Sequence, residues 1–390
     1  MSNNNSANTG GQNMNISRRN WMQAIGVGAV GTSIVDTAGA VNSEDSVEVV
    51  ISRSSDGDHE TTEVPTEWED HREHAEKIND EMQAERMSQK GVMKVSLTSS
   101  EETYGGKSGF KIEVGVKSDI FEGTIPDSKD GIPVETVEAT PISYGSCGIT
   151  LDTNDIPGAV AIENEDDDDG DCSMSFGSTG FKVSYEKEHY MLTAAHIYGG
   201  GSDPCPSGIQ TNDSAFHHGD YFGNVNHWTE EEDWLLISTN HDETFDDKLW
   251  DPDQQKRVDA VAWYTDTGVA NLISDNTEIY KCGITLGKES GQVIDKSISS
   301  GWDCVDWDGE GVETDTDFAE GDSGGPVWSD DNNDDAVIVT HNCQLAGDDI
   351  GTASCHPIGD CSASNLNIED ALRGTAFYHL HDKYGMQVVD

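Results

Sequence analysis

The chain has 390 residues, more than one ordinary domain requires, and its 34% hydrophobic content is low but sufficient for a core. Lys and Arg number 22 against 75 Asp and Glu, a formal net charge of −53, which argues against nucleic acid or an anionic membrane surface as partner and would open a fold in dilute buffer by self-repulsion. The charge points to work in concentrated salt, where fields are screened beyond about 3 Å at 1 M and surface carboxylates keep the chain hydrated.

Residues 1–40 read as an address rather than a fold. A polar tail leads into Ser17-Arg18-Arg19-Asn20-Trp21-Met22, then an apolar, Gly-rich run from Ala24 to Val35, then Ala38-Gly39-Ala40. This pattern is that of a twin-arginine export signal with a small-residue cleavage site, and it predicts an extracellular protein. The apolar run is too short to span a bilayer, so no membrane association is expected after signal removal. Residues 41–140 differ in texture from the remainder of the chain. Trp68, Ala75, Ile78 and Met82 recur at helical spacing and predict an amphipathic helix from about Glu67 to Gln89. Beyond it come short β-prone runs, Val92 to Leu97 and Phe110 to Val116, between Gly and Asp turns.

From about Pro141 the sequence is a succession of short β-like runs separated by Gly, Asp and Asn, which predicts an antiparallel barrel or sandwich. Pro157 to Ile162, Thr179 to Val183, Tyr221 to Val225, Ile279 to Gly287 and Ala336 to Thr340 are the clearest strands. Ile368 to Tyr384, with Ala371, Leu372, Phe377 and Leu380 apolar, reads as a closing helix. The acidic runs Asp166 to Asp169 and Asp330 to Asp335 are solvated loops on this reading.

Three short stretches carry chemistry. Gly321-Asp322-Ser323-Gly324-Gly325-Pro326-Val327 surrounds a serine with residues that leave its hydroxyl uncrowded and let the backbone turn tightly. Such a turn aims the N–H groups of Gly321 and Ser323 at one point, where an oxyanion would be stabilised. A serine needs a base, and Tyr190-Met191-Leu192-Thr193-Ala194-Ala195-His196 ends an apolar run in a histidine. Glu232-Asp233-Trp234-Leu235-Leu236-Ile237 sets an acid before a buried-looking strand, where it can orient that base. Gly321 to Gly325 also fits the elbow of α/β-hydrolases, but that fold needs the order serine, acid, histidine, and here the histidine comes first.

In these three signatures and their order, with 233 − 196 = 37 and 323 − 233 = 90, the chain resembles the chymotrypsin-like serine proteases, and most closely their streptogrisin-type branch. The resemblance covers about 157–390. It implies an all-β domain, 141–390, of two antiparallel six-stranded β-barrels with a C-terminal helix, and a secreted endopeptidase of peptide or protein substrates, monomeric and without cofactor or metal. It implies Ser323 as nucleophile, His196 as general base, Asp233 as its orienting acid, and an oxyanion hole at Gly321 and Ser323. Asp322 would turn inward to hold the loop. Residues 41–140 would be either a pro-region, as is common in that branch, or an extension that stays attached. A catalytically silent homologue that binds peptides is the alternative, and the intact Ser323, His196 and Asp233 argue against it.

The same resemblance sets Asp317, six residues before the serine, at the base of the specificity pocket, which favours Arg or Lys in the substrate. His341 lies near where glutamate-specific members carry a pocket histidine, which favours an acidic substrate; the cysteine usual two residues after the aspartate is Ala319 here. Asp317 also fits a weak calcium-loop pattern with Asp306, Asp308 and Glu310. His217, His218 and His227 sit in polar surroundings and read as surface residues. The eight cysteines suit an exported protein with disulfides. The resemblance suggests Cys172 with Cys205, and Cys282 with Cys304 and Cys343 with Cys355 or Cys361 are further expected pairs. Without paired Cys-x-x-Cys elements, zinc is not expected.

Overall fold

Alternating apolar residues in Glu188–Thr193 and Trp234–Thr239 build two adjacent strands whose faces are buried on both sides. Met191, Leu235 and Ile237 pack with Ile162, Phe222 and Phe245, while Tyr190, Leu192, Trp234 and Leu236 pack with Trp263, Phe377 and Leu380. The computed structural model describes residues 46–117, 120–121, 123–138, 155–164, 176–198, 208–217, 220–239, 244–252, 254–302, 305–319, 321–331, 335–354 and 364–389. The expected export signal lies outside them.

The described chain is mostly β, in two sheets of eight and 17 strands rather than two sets of six. The smaller sheet runs from Gln387–Val388 through Lys182–Tyr185, Glu188–Thr193, Trp234–Thr239, Asp220–Thr229, Ser214–His217 and Ala161–Asn164 to Phe176–Ser178, and every pairing in it is antiparallel. Thr193 pairs with Leu235. That register sets the end of the first strand, just before His196, beside the start of the second, just after Asp233.

The larger sheet is mixed. Lys256–Tyr264 pairs antiparallel with Thr244–Asp251 and parallel with Ala336–His341, which continues antiparallel into Pro326–Asp330 and Glu278–Gly283. Gly287–Trp302, Val305–Thr314, Ser364–Thr375 and Gln344–Ser354 complete this half. The N-terminal segment enters the same ladder at two places. Ser46–Ser54 pairs with Lys256–Tyr264, and Val92–Tyr104 pairs with Gly287–Trp302 and carries Lys107–Val116 and Ile132–Glu138 beside it.

The first helix, α1 (Thr66–Arg86), matches its predicted span within a few residues and buries Trp68, Ala75, Ile78 and Met82 in one core with Val95, Phe110, Val269, Val293 and Leu372. A second helix, α2 (Asp266–Asp275), has no counterpart among the elements expected from the sequence. Thr265 caps it, its Oγ1 accepting from the Gly268 N–H at 3.0 Å. The closing helix is shorter than expected. Only Phe377–Tyr384, α3, is helical, since Ser364–Thr375 is held as a strand between Val305–Thr314 and Gln344–Ser354. No helix among the described residues is long and apolar enough to cross a membrane.

Cations buried between the N-terminal segment and the rest are paired with carboxylates. Lys296 is fully buried, with Nζ 2.6 Å from both Glu76 and Asp266. Lys94 meets Asp295, Glu113 at 3.0 Å and Glu313 at 3.1 Å, and Arg373 also pairs with Glu313. Burial alone would lower the pKa of Lys296, but the carboxylates of Asp266 and Glu76 raise it instead. Removing Lys296 leaves Glu76 and Asp266 to Arg72 alone, 2.6 and 3.2 Å away, so Lys296→Met is expected to destabilise the protein by about 1–3 kcal/mol. Urea unfolding at constant molar salt checks this; a loss below about 1 kcal/mol would mean that water reaches the pair.

Candidate active site

The site is built where strand ends of the two sheets meet. After Thr193 the chain turns into a single 3₁₀ turn, Ala195–Tyr198, which carries His196. Before Trp234 it turns through Asp233, a non-glycine residue with φ of 52°. The Asp233 carboxylate, fully buried, accepts from His196 twice: Oδ1 from the backbone N–H at 2.8 Å and Oδ2 from ring Nδ1 at 2.7 Å. A carboxylate gripped at both oxygens by one residue fixes the ring's orientation and puts the Nδ1 proton on the Asp233 side.

The serine loop docks onto the same strand end. Gly321 and Gly324 have φ of 97° and 86°, left-handed conformations that side chains resist. A Cβ on Gly324 would lie 2.2 Å from Thr193 Oγ1 and 3.1 Å from Ala194 N, so the residue after Ser323 touches the segment leading to His196. Ser178 is the tie between them. Its N–H donates to Ser323 O at 2.6 Å, its hydroxyl donates to Gly321 O at 2.9 Å, and its carbonyl accepts from Thr193 Oγ1 at 2.8 Å. Ser323 itself is 3% exposed.

Asp322 turns inward, as expected. Its Oδ1 accepts the N–H groups of Thr285 at 2.8 Å and Leu286 at 3.2 Å, and its Oδ2 accepts from Ala319 N at 3.2 Å and pairs with the buried Lys281 ammonium. Sequence reasoning missed Lys281. The signal was there: a lone lysine in Glu278–Gly283, between the buried Ile279 and Cys282, has to find a carboxylate inside.

A second acid, Glu232, also went unassigned. It is buried beside Asp233 and accepts from Trp234 Nε1 at 3.0 Å, His379 Nε2 at 3.1 Å and Lys383 Nζ. Its backbone carbonyl accepts from Thr375 Oγ1 at 2.5 Å. Glu232, Glu310 and His379 bring donor atoms within 4.8 Å of one another, but Lys383 already neutralises Glu232, and this cluster is an ion-pair network. The side chains of Asp306 and Asp308, expected in a calcium loop, lie outside the described residues.

Asp317 is half-buried, just before the short strand Phe318–Ala319. His341, expected at a specificity pocket, is fully enclosed; its Nε2 lies 3.2 Å from the backbone oxygen of Asp233, and burial pushes its pKa down. His217 is buried rather than exposed, with Nδ1 2.7 Å from Ala161 O, because the strand Ser214–His217 closes against Ala161–Asn164. His227 packs edge-on against Tyr185 and Tyr190, and His218 lies outside the described residues. Cys282 and Cys343 are free buried thiols, so the pairs expected for them do not form. Each sits in the protein interior, and burial raises both thiols. The other six cysteines lie outside the described residues.

No family model matches the chain, and no curated protein does either. Among solved structures it is similar to a glutamic-acid-specific serine protease described as using a histidine triad in substrate binding, at 18% identity and a TM-score of 0.41 over 60% of this chain and 100% of that one. It is also similar to Nocardiopsis protease, with 12% identity, TM-score 0.40 and coverage of 60% and 100%. Thermobifida fusca protease A gives 15% identity, TM-score 0.37 and coverage of 60% and 98%. Likeness at this level decides neither fold nor chemistry, which rest on the geometry of the chain itself.

The Glu232 network predicts an acid-dependent stability. Burial alone would raise its pKa, but the hydrogen bonds from His379, Lys383 and Trp234 hold it at about 2. The folded carboxyl therefore titrates below its unfolded value of about 4.3. Its contribution is fully present above that value and is lost as pH falls toward about 2. Glu232→Gln is expected to melt below the wild type at pH 6 by several degrees, with the gap closing as pH falls through this window; a gap independent of pH would assign the loss to packing.

Proposed function

We propose that this protein is a secreted, salt-adapted serine endopeptidase of the chymotrypsin-like kind. The observation that carries the reading is the doubly hydrogen-bonded Asp233–His196 pair, at 2.7 and 2.8 Å, with the Gly321 to Gly325 loop packed against the strand end that leads to His196. In this reading Ser323 attacks the scissile carbonyl, His196 takes its proton and returns it to the leaving amine, and Asp233 holds the Nδ1–H tautomer and stabilises the imidazolium. The N–H groups of Gly321 and Ser323 bind the oxyanion. Asp322, engaged by Lys281 and three backbone N–H groups, holds the loop and takes no part in proton transfer. The chemistry calls for no cofactor.

Asp317 remains the residue that would select Arg or Lys before the cleaved bond. The opposing preference for Glu would rest on His341, whose ring is enclosed in this structure. Paired peptides differing only in Arg or Glu, assayed with wild type and Asp317→Asn, test the point; a preference that survives Asp317→Asn removes the residue from the pocket.

Ser323→Ala is expected to lower peptide turnover by roughly 10⁶-fold, and His196→Ala by a similar factor, because nucleophile and base act as a unit. Purified Ser323→Ala enzyme that keeps its turnover, or wild type that leaves a serine-reactive fluorophosphonate unreacted in molar salt, rules the reading out. Salt adaptation predicts that rate and far-ultraviolet circular dichroism both decay as sodium chloride falls toward 0.01 M, where the screening length grows to about 30 Å. An unchanged spectrum and rate would count against it.

A further inference from the structure

The carbonyl of Asp233 is crowded with donors. The Ala195 N–H reaches it at 3.3 Å, His341 Nε2 at 3.2 Å and the Cys343 thiol at 3.8 Å. One residue earlier, the Glu232 carbonyl takes the Thr375 hydroxyl at 2.5 Å. His341, Cys343 and Thr375 all belong to the larger sheet side of the molecule, whereas Asp233 begins a strand of the smaller sheet. Asp233 needs this grip. With φ of 52° it occupies a left-handed conformation that costs an L-residue about 1–2 kcal/mol and persists only where the surroundings over-determine it.

His341 suits the task of a fixed donor. Its ring is completely enclosed, and its Nδ1 is buried without a hydrogen-bond partner among the described residues. A proton there would be an unsolvated N–H, so the ring is neutral with its single proton on Nε2, directed at the Asp233 carbonyl and shared with Cys343 Sγ 3.3 Å away. Burial lowers the pKa of His341 and outweighs the opposing pull of the Asp233 carbonyl and carboxylate.

Resting on the peptidase reading, we infer that His341 is a positioning residue: its Nε2–H holds the Asp233 turn in its left-handed conformation and thereby sets the carboxylate that orients His196. It touches neither substrate nor the reacting atoms. A turn released by this donor lets the Asp233 carboxylate move relative to the ring, and displacements of about 1 Å in such a constellation cost rate rather than binding. His341 therefore joins the two sheets at the residue where a shift is most damaging.

Three variants separate reach from bulk. His341→Gln can extend an amide N–H to the Asp233 carbonyl, His341→Asn cannot reach it, and His341→Leu fills the site without a donor. In molar salt, Leu and Asn variants are expected to lose about tenfold in kcat, the equivalent of one neutral hydrogen bond, with KM within about twofold of wild type. The Gln variant is expected to recover to within about threefold. If the Leu variant does not fold, the contrast of Asn with Gln still decides. Equal kcat in all variants and the wild type overturns the inference. So does an equal loss in Gln and Asn that follows melting temperature, which would make His341 a packing residue. Absence of turnover in the wild type overturns the peptidase reading, and the positioning role falls with it.

Discussion

The structure depends on holding one strained turn in place. Asp233 presents its carboxylate to His196 from a left-handed backbone, a conformation that Asp tolerates better than most side chains but that still costs energy. The stabilisation comes from elsewhere: a backbone N–H from the histidine segment, a ring and a hydroxyl from the other sheet, and the α3 residues His379 and Lys383 gripping the neighbouring Glu232. Each hydrogen bond is modest alone. Together they make the position of the Asp233 carboxylate a property of both sheets at once, so that loosening their packing displaces it.

Charge imposes the second constraint. A chain with 22 cationic side chains and 75 acidic ones has few cations to place, yet Lys94, Lys281 and Lys296 are all buried. Each sits among carboxylates, Lys94 and Lys296 sharing theirs with Arg373 and Arg72, and Lys281 secures the Asp322 that shapes the serine loop. Placing cations inside leaves the surface more acidic still. Ion pairs shielded from solvent keep their strength in concentrated salt, while repulsion among surface carboxylates is screened there. Salt that quiets surface repulsion therefore leaves the enclosed pairs little changed.

Much of the site was legible in the sequence because its chemistry demands rare combinations. Glycines around Ser323, a histidine closing an apolar strand and an aspartate opening another are local patterns, and the structure brings His196 and Asp233 into contact as their order suggested. The α1 stripe was legible for the same reason, a period carried by Trp68, Ala75, Ile78 and Met82. What escaped was set by distant contacts. Ser364–Thr375 has helix-compatible residues but is claimed by ladders on both sides. His217 looks in sequence like an exposed histidine, and only the closure of a strand from far along the chain buries it. The free thiols of Cys282 and Cys343 follow the same logic, since cysteine count speaks of compartment and not of which strand encloses which sulfur.

The N-terminal segment shows how far such long-range closure extends. Its strands add to the larger sheet at Lys256–Tyr264 and Gly287–Trp302, and its helix α1 shares a core with Val269, Val293 and Leu372. The ion pairs cross the same boundary in both directions. Lys94 comes from the segment to meet Asp295 and Glu313, while Glu76 comes from the segment to meet Lys296. Taking residues 46–138 away would uncover two strand edges and an apolar face, leave Asp295 without its lysine, and leave Glu313 to Arg373 alone. Exposed edges can be rewetted at little cost, but buried carboxylates stripped of their cation cannot stay where they are without protonating or admitting water. A form lacking this segment would have to repack around Asp295 and Lys296, on the same sheet whose far strands carry His341 and Thr375 to the Asp233 turn.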